Sequence, residues 1–316
     1  MRVLSLFDGI SCAYEALVKA GIPITSYHAA EIDKHAIKVS QTRHPDIVHL
    51  GDVKTVQARP IDLLIGGSPC QDLSVAKRGR KGLEGERSGL FYEFVRLLEE
   101  CNPKYFILEN VYSMSQEAKD LITLVMGVEP IMINASLVSA QSRKRYFWTN
   151  IPVQQPADRG ILLKDILEPT VDPRYFKPAD FQAGTHNGLR IYPTDRKAVT
   201  LLASGGNYYR IGRDIGRRLD EQGVRQDADK TVAVQRRIET RTDDKCGTLT
   251  TVSKDNLVVG ESSVRSLTPI ECERLQCLPD GYTSGISDAQ RYKCIGNAFN
   301  VEVVAHILRG LKVKTA

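Results

Sequence analysis

The sequence predicts an α/β protein: a doubly wound, mostly parallel sheet with helices on both faces, and a smaller, mostly β segment inserted after its first half. Three observations carry this reading. Short apolar runs alternate with amphipathic stretches from Arg2 to Thr149, the pattern of strands joined by crossover helices. After Trp148 the alternation stops and a stretch rich in Gly, Arg, Asp and Thr begins; helical signals resume at Thr268. At 316 residues, with 42% hydrophobic and 26% charged residues, the composition is that of a globular chain and excludes a fibrous or disordered one.

Taken in order, residues 2–7 are a short apolar run and 13–20 a helix. Residues 24–32 are strand-like, 34–42 helical, and 61–65 a fully apolar, buried strand. Over 90–100, Leu90, Phe94, Leu97 and Leu98 recur at helical spacing. A strand at 105–108, a helix at 116–126 and strands at 131–138 and 146–149 complete the first half. On such a sheet the loops after the strands are where ligands bind. Farther on, the β-leaning pieces are short, 197–203 and 248–252 among them, and 194–201 is weakly echoed by 242–249. Thr268-Pro269-Ile270-Glu271 opens a helix with Pro at its first position, and 298–308 supplies a final amphipathic helix. The expected division is a discontinuous main domain, residues 1–154 and 264–316, around an insert at 155–263.

Net charge is +5, which permits a nucleic-acid partner without demanding one. Residues 186–246 hold thirteen Lys/Arg against nine Asp/Glu, so most of the excess sits there, largely as Arg210, Arg213, Arg217, Arg218, Arg225, Arg236, Arg237 and Arg241. Such a stretch reads equally as a solvated region or a phosphate-binding surface. No apolar run approaches the roughly 18 residues of a membrane helix. The first residues turn acidic and Gly-rich too early for a signal peptide, and seven scattered cysteines make no disulfide framework. A cytoplasmic protein without membrane association is expected.

Four places carry chemistry. Phe7-Asp8-Gly9-Ile10-Ser11 follows the first strand, where glycine lets the backbone approach a ligand. Glu31 closes the second strand, where a carboxylate can accept hydrogen bonds from both hydroxyls of a ribose, and Asp52 ends a third segment and can hold an adenine amino group. Each alone is ordinary turn chemistry; in order, at strand ends, they favour an adenosine-containing cofactor. A dehydrogenase would carry Gly-x-Gly-x-x-Gly here, and this loop lacks it. Next, an apolar strand delivers Cys70 into a loop bounded by Pro69 and followed by Lys77, Arg78, Arg80, Lys81 and Arg87. Positive charge lowers a thiol pKa, the thiolate is the nucleophile, and a flexible basic loop can close over a polyanion. Glu109 projects from the end of an apolar strand, where a carboxyl group in a part-apolar pocket can donate a proton. Alternation puts Arg143 and Arg145 on one face, aimed at a common site, although alone they would read as a basic edge strand. No His/Cys cluster has zinc spacing, so no metal is expected, and Cys272 and Cys277 read as core cysteines of a helix.

In this order and approximate spacing, Pro69-Cys70-Gln71, Glu109-Asn110-Val111 and Gln141-x-Arg143-x-Arg145 resemble the motifs of the DNA cytosine-5 methyltransferases. Phe7-Asp8-Gly9 is similar to their first cofactor motif, residues 265–276 to their ninth block, and Cys294-Ile295-Gly296-Asn297-Ala298-Phe299 to their final one. Residues 4–10 and 66–74 are also similar to the animal de novo DNA methyltransferases, while the compact chain suits a bacterial or phage enzyme. The resemblance covers everything except about 155–263, where the family keeps its target-recognition domain. It implies a Rossmann-like, S-adenosylmethionine-dependent methyltransferase fold with Cys70, Glu109, Arg143 and Arg145 as catalytic residues. Cofactor contacts are implied for Phe7, Asp8, Gly9, Ile10, Glu31, Ile32, Asp52, Val53, Pro69, Leu90, Asn297 and Ala298. The implied partner of this expected monomer is double-stranded DNA, with a cognate restriction endonuclease where a restriction-modification system exists. Two departures stand out. The first loop reads Phe-Asp-Gly-Ile-Ser-Cys rather than the common Phe-x-Gly-x-Gly-Gly, and Phe299-Asn300 replaces small or branched apolar residues.

The implied reaction adds Cys70 to cytosine C6 while Glu109 engages N3. Arg145, with Arg143 in support, holds O2 and the nearby phosphate, and C5 takes the methyl group of S-adenosylmethionine. The target base must leave the stack, with the basic loop closing behind it. Two alternatives share the fold: an RNA cytosine-5 methyltransferase and a catalytically silent DNA-binding homologue. An Arg-rich insert of about a hundred residues fits duplex DNA readout better, and a silent homologue would be expected to lose Cys70 or Glu109.

Overall fold

In the central strands β1 (Arg2–Leu6), β4 (Leu63–Gly66) and β5 (Tyr105–Val111) most residues are buried, so both faces of the sheet need cover. The computed structural model describes residues 1–68, 90–176, 210–218, 233–240, 257–259 and 264–311, with isolated positions between 226 and 249. Val3, Leu63, Ile65 and Ile107 pack with α1 (Cys12–Ala20), α2 (Lys34–Arg43) and α7 (Val301–Arg309). Leu4, Leu6, Leu64 and Leu108 turn the other way, onto α3 (Phe91–Cys101) and α4 (Gln116–Met126). The doubly wound architecture follows from this alternation.

With β2 (Ser26–Ala30), β3 (Val48–His49), β6 (Ile131–Asn134) and β7 (Lys144–Thr149), the sheet has seven strands in the order β3-β2-β1-β4-β5-β7-β6. Pairing is parallel from β3 to β5, but β7 runs antiparallel to both neighbours. The cause is local. The Asn134 side chain accepts the amides of Ser136 (3.2 Å) and Arg143 (2.9 Å), ending β6 four residues before the strand expected over 131–138. Only the short turn Ala135–Leu137 and a loop follow, and without a crossover helix the next strand must return antiparallel.

A second, antiparallel sheet has the order β11-β10-β8-β9, formed by β8 (Arg210–Arg218), β9 (Val234–Thr240), β10 (Leu257–Val259) and β11 (Val264–Ser266). Val258 joins Ala140, Leu163, Leu249, Leu267 and Cys272 in a separate apolar cluster. The pieces expected at 197–203 and 194–201 lie outside the described residues, and the described part of 248–252 has no regular element. Thr268 and Glu271 cap α5 (Pro269–Leu275) reciprocally, with Pro269 at its first position. Beyond α6 (Asp288–Asn297), the helix expected from residue 298 begins only at Val301: residues 298 and 300 are extended, and the Asn300 side chain caps α7 through the Val303 amide (3.2 Å). Cys272 is buried in the core as expected, whereas Cys277 lies past α5 in a left-handed turn, φ 61°. No described helix is long and apolar enough to cross a membrane.

Glu302, near the start of α7, is 2% exposed and meets Lys19 Nζ (2.9 Å), Arg159 Nη2 (2.6 Å) and Arg309 Nη1 (2.9 Å). Burial alone would raise its pKa, but the three cations outweigh burial and lower it from 4.5 to about 2. A carboxylate depressed in the folded state stabilises the fold above its unfolded pKa and loses that contribution as pH falls through the folded one. Glu302→Gln should therefore cost roughly 2–3 kcal/mol at neutral pH in urea denaturation. The difference from wild type should shrink as pH drops from about 4.5 towards 2. A difference that stays constant over that window would refute the assignment.

Candidate active site

β4 ends at Gly66, and the chain passes through Gly67 and Ser68, the last described residues before Pro69 and Cys70. Close approach fixes this exit. A Cβ on Gly66 would stand 2.9 Å from the Leu6 carbonyl oxygen. One on Gly67 would stand 2.9 Å from the Phe299 ring and 3.0 Å from Glu109 Oε2. The buried Ser68 hydroxyl accepts from Asn110 Nδ2 (3.2 Å), while Asn110 Oδ1 accepts the Val111 amide (2.8 Å). Asn110 thus ties β5 to the residue two before Cys70. Pro69, Cys70 and the basic residues of 77–87 lie outside the described residues.

Strand register pairs Glu109 with Phe147 and Val111 with Arg145, which sets Glu109 and Arg145 diagonally on one face. Arg145 Nε lies 2.7 Å from Glu109 Oε1, with the side chains 15% and 14% exposed. The pair is sheltered but reachable. Arg143 shares that face, and Glu109, Arg143, Arg145, Phe147, Phe299 and Asn300 help line a pocket with about 240 Å³ of empty space, partly open to solvent. The two arginines are held differently. Arg143 is buried, donating from Nη1 to the carbonyls of Leu249 (3.2 Å) and Gly296 (3.4 Å) and from Nη2 to those of Gly296 (3.4 Å) and Ala298 (3.1 Å). It staples β7 to the segment at Leu249 and to the end of α6.

A second group gathers at the ends of β1 and β2. Phe7, Gly9 and Ser11 all have left-handed backbones, with φ of 56°, 60° and 60°. The Gly9 amide donates to Glu31 Oε2, and Glu31 Oε1 accepts the amides of Ile32 and Asp33, each at 2.8 Å. A carboxylate has about four acceptor directions, so three amides leave room for one more donor. Beside it Ile32 is 75% exposed, a large apolar surface at a strand end. The Asp8 carboxylate turns inward, accepting from the hydroxyls of Ser11 (2.5 Å) and Tyr27 (2.6 Å), and burial raises its pKa. Ile10 is buried and Leu90 half-buried at the start of α3. Asp52, exposed, accepts the Lys54 amide (3.0 Å) at the head of the turn Val53–Thr55, where Val53 is buried. Lys293 docks α6 on Asp33 at 2.5 Å; at the end of that helix Asn297 is exposed and Ala298 buried. Among the described residues no cluster of His, Cys, Asp or Glu could hold a metal.

Direct bonds therefore join Gly9, Glu31 and Ile32 in one group, and Glu109, Arg143 and Arg145 share one pocket. The ties made by Asn110 and Arg143, and the ring of Phe299 over Gly67, carry no local signal in the sequence. Asn300 does: an Asn immediately before an apolar helical run is an N-cap signal.

The architecture is the Rossmann-like fold shared by solved methyltransferases. S. pombe Dnmt2 superposes with a TM-score of 0.63 at 17% identity over 100% of both chains. The Entamoeba histolytica methyltransferase EhMeth gives 0.67 at 14% identity over 99% of this chain and 98% of its own. At such identities the likeness establishes the fold alone. The family follows from sequence: C-5 cytosine-specific DNA methylase matches residues 1–313, and the chain belongs to that family. The orphan methyltransferase M.SPRI of Bacillus phage SPR is 26% identical over 98% of this chain and 97% of its own length. M.Rho11sI of Bacillus phage rho11s, also an orphan methyltransferase, is 40% identical over 124 residues, 38% of this chain and 24% of its own.

Gly67→Ala should push on both the Phe299 ring and Glu109, at a cost of about 1–3 kcal/mol of stability. Adding Phe299→Leu should restore part of that loss. Strictly additive effects in the double-mutant cycle would show that the two residues do not touch.

Proposed function

We propose that this chain transfers a methyl group from S-adenosylmethionine to C5 of a cytosine flipped out of a specific duplex DNA sequence, through a covalent bond between Cys70 and cytosine C6. The observation that supports this best is the Glu109–Arg145 pair, 2.7 Å apart in a pocket beside the glycine exit that leads to Cys70. Cytosine C5 is a poor nucleophile. Addition of the Cys70 thiolate to C6 pushes electrons into the ring, and Glu109, as the carboxylic acid, donates its proton to N3, where the charge develops, and takes it back when Cys70 leaves. Arg145 orients Glu109 and offers its remaining donors to O2; Arg143 supports the strand that carries it. Loss of the C5 proton to solvent after methylation re-forms the C5–C6 double bond and releases Cys70 as thiolate. Because C6 is hidden in the stack, the base must be extruded, and the basic residues of 77–87 close behind it.

S-adenosylmethionine supplies an electrophilic methyl group when bound. A carboxylate with a free acceptor direction beside an exposed isoleucine fits the ribose and adenine of an adenosine. In this reading Phe7, Gly9, Ile10, Glu31, Ile32, Asp52, Val53, Pro69, Leu90, Asn297 and Ala298 surround the cofactor, and Asp8 contributes through its backbone. Residues 1–154 and 264–316 form the catalytic domain. Residues 155–263, with arginines such as Arg217 and Arg218 on β8, read the target sequence. Orphan relatives favour an enzyme that works without a cognate endonuclease.

Cys70→Ser should abolish methyl transfer and leave S-adenosylmethionine binding largely intact. Duplex DNA bearing 5-fluorocytosine at the target, located by bisulfite sequencing of plasmid from expressing cells, should form an adduct that survives denaturation. Active enzyme that forms no adduct would rule out Cys70 addition, and methylation of tRNA in place of duplex DNA would move the substrate to RNA. Glu31→Ala should weaken cofactor binding by about 1–3 kcal/mol in titration calorimetry and leave duplex affinity nearly unchanged. Unchanged cofactor affinity would displace the adenosine from the ends of β1 and β2.

A further inference from the structure

The turn after β1 holds a serine in a backbone geometry that favours glycine. Ser11 has φ 60° and ψ 36°, the left-handed region that a Cβ disfavours, yet it is completely buried. Its hydroxyl is gripped on two sides, 2.5 Å from Asp8 Oδ2 and 2.6 Å from Ser40 Oγ. A hydroxyl has one proton, and Ser11 gives its own to Asp8 Oδ2. With its proton on Asp8, the Ser11 oxygen is left to accept from Ser40. Ser40 Oγ in turn lies 3.3 Å from His49 Nε2. A hydrogen-bonded chain runs from His49 on β3 through Ser40 on α2 and Ser11 to Asp8, whose other oxygen accepts from Tyr27 on β2 (2.6 Å). The backbone adds to it: Asp8 N donates to Ala30 O and Ser11 N to Asp8 O, both at 3.1 Å. The turn so held carries the Gly9 amide that donates to Glu31.

We propose that Ser11 is a positioning residue for the cofactor side of the active site: its hydroxyl locks the 7–11 turn and so keeps the Gly9 amide on Glu31. This inference rests on reading that turn as part of the S-adenosylmethionine site. A serine merely tolerated in left-handed backbone would be improved by glycine, which has no Cβ to strain. A serine that locks the turn would not.

The test compares S11G, S11A and S40A with wild type by amide hydrogen exchange at Gly9 in the free protein, thermal unfolding, and S-adenosylmethionine calorimetry. S11G relieves the backbone and removes the lock, so its melting temperature should stay near wild type while Gly9 exchanges faster. Its dissociation constant for S-adenosylmethionine should rise roughly five- to tenfold. S40A, which leaves the Ser11 backbone untouched, should shift exchange and affinity in the same direction. S11A keeps the strain and loses the lock, and should lose melting temperature as well. In turnover, S11G should raise KM for S-adenosylmethionine by more than it lowers kcat. Wild-type exchange at Gly9 and wild-type affinity in S11G would overturn the proposal. Wild-type protein that takes up no S-adenosylmethionine would overturn the cofactor reading itself, a failure separable from the first because Gly9 exchange is read without cofactor.

Discussion

The guanidinium of Arg143 is buried, and the carbonyls it binds, Leu249, Gly296 and Ala298, lie 106 to 155 positions away along the chain. A buried charge without partners costs several kcal/mol, so β7 reaches its final place only when those distant segments have returned to meet it. The dependence extends to the candidate active site, because Arg143 directly precedes β7 and Arg145 sits two residues on, within that strand. Once Arg143 is anchored, alternation delivers Arg145 to the face of Glu109, and the antiparallel register sets the diagonal offset that lets the two side chains meet. Completing the C-terminal helices and assembling the acid–guanidinium pair are thus coupled by one side chain.

Buried carboxylates repeat this logic through the last fifty residues. Glu271 takes both nitrogens of Arg265 (2.8 and 2.7 Å) and the amides of Thr268 and Glu168, joining β11, α5 and the chain at Glu168. Glu273 accepts the amides of Gly281 (2.6 Å) and Thr283 (2.8 Å) and pairs with Arg291 (3.0 Å), closing the loop between α5 and α6. Arg43 at the end of α2 then holds that loop through the carbonyls of Gly281 and Tyr282. Glu271 and Glu273 do not line the pocket. The 265–276 block is therefore architectural in this chain: it ties β11 of the second sheet to α5 and to the loop before α6, which Arg43 holds to α2, and removing either partner of such a pair would leave a buried charge unmatched.

Much of the first sheet was legible because its strands are apolar on both faces and its helices on one, a pattern contained in each segment alone. α4 is an example, running over Gln116–Met126 as its periodicity predicts, with Ser115 capping it through the Ala118 amide. What escaped was decided between segments. The reversal of β7 depends on one asparagine that caps its own turn and also accepts from Arg143. β3 is two residues long, too short for any period, and exists because β2 offers it an edge. Within the candidate site, residue types and their shared face were readable, as for Arg143 and Arg145. Their division of labour was not, since nothing near Arg143 in the chain indicates which carbonyls will surround it.

The two departures from the family pattern share a physical explanation. Where glycine is common, Ser11 adopts the left-handed backbone and offsets its strain with bonds to Asp8 and Ser40 that glycine could not make. Where small or branched apolar residues are common, Asn300 caps α7 and donates to the Leu275 carbonyl (3.0 Å), while Phe299 closes over Gly67. In each case a side chain has taken up a constraint that the backbone or a smaller residue would otherwise carry. The consequence is a difference in rigidity, not in chemistry. A turn held by hydroxyl bonds gives up less conformational entropy when it meets a ligand than a glycine turn free to roam, because part of that ordering was already completed on folding. Ser11 belongs to the turn that holds Glu31, and Phe299 and Asn300 to the pocket that holds Glu109, so these substitutions stiffen both places where the chain would grip its substrates.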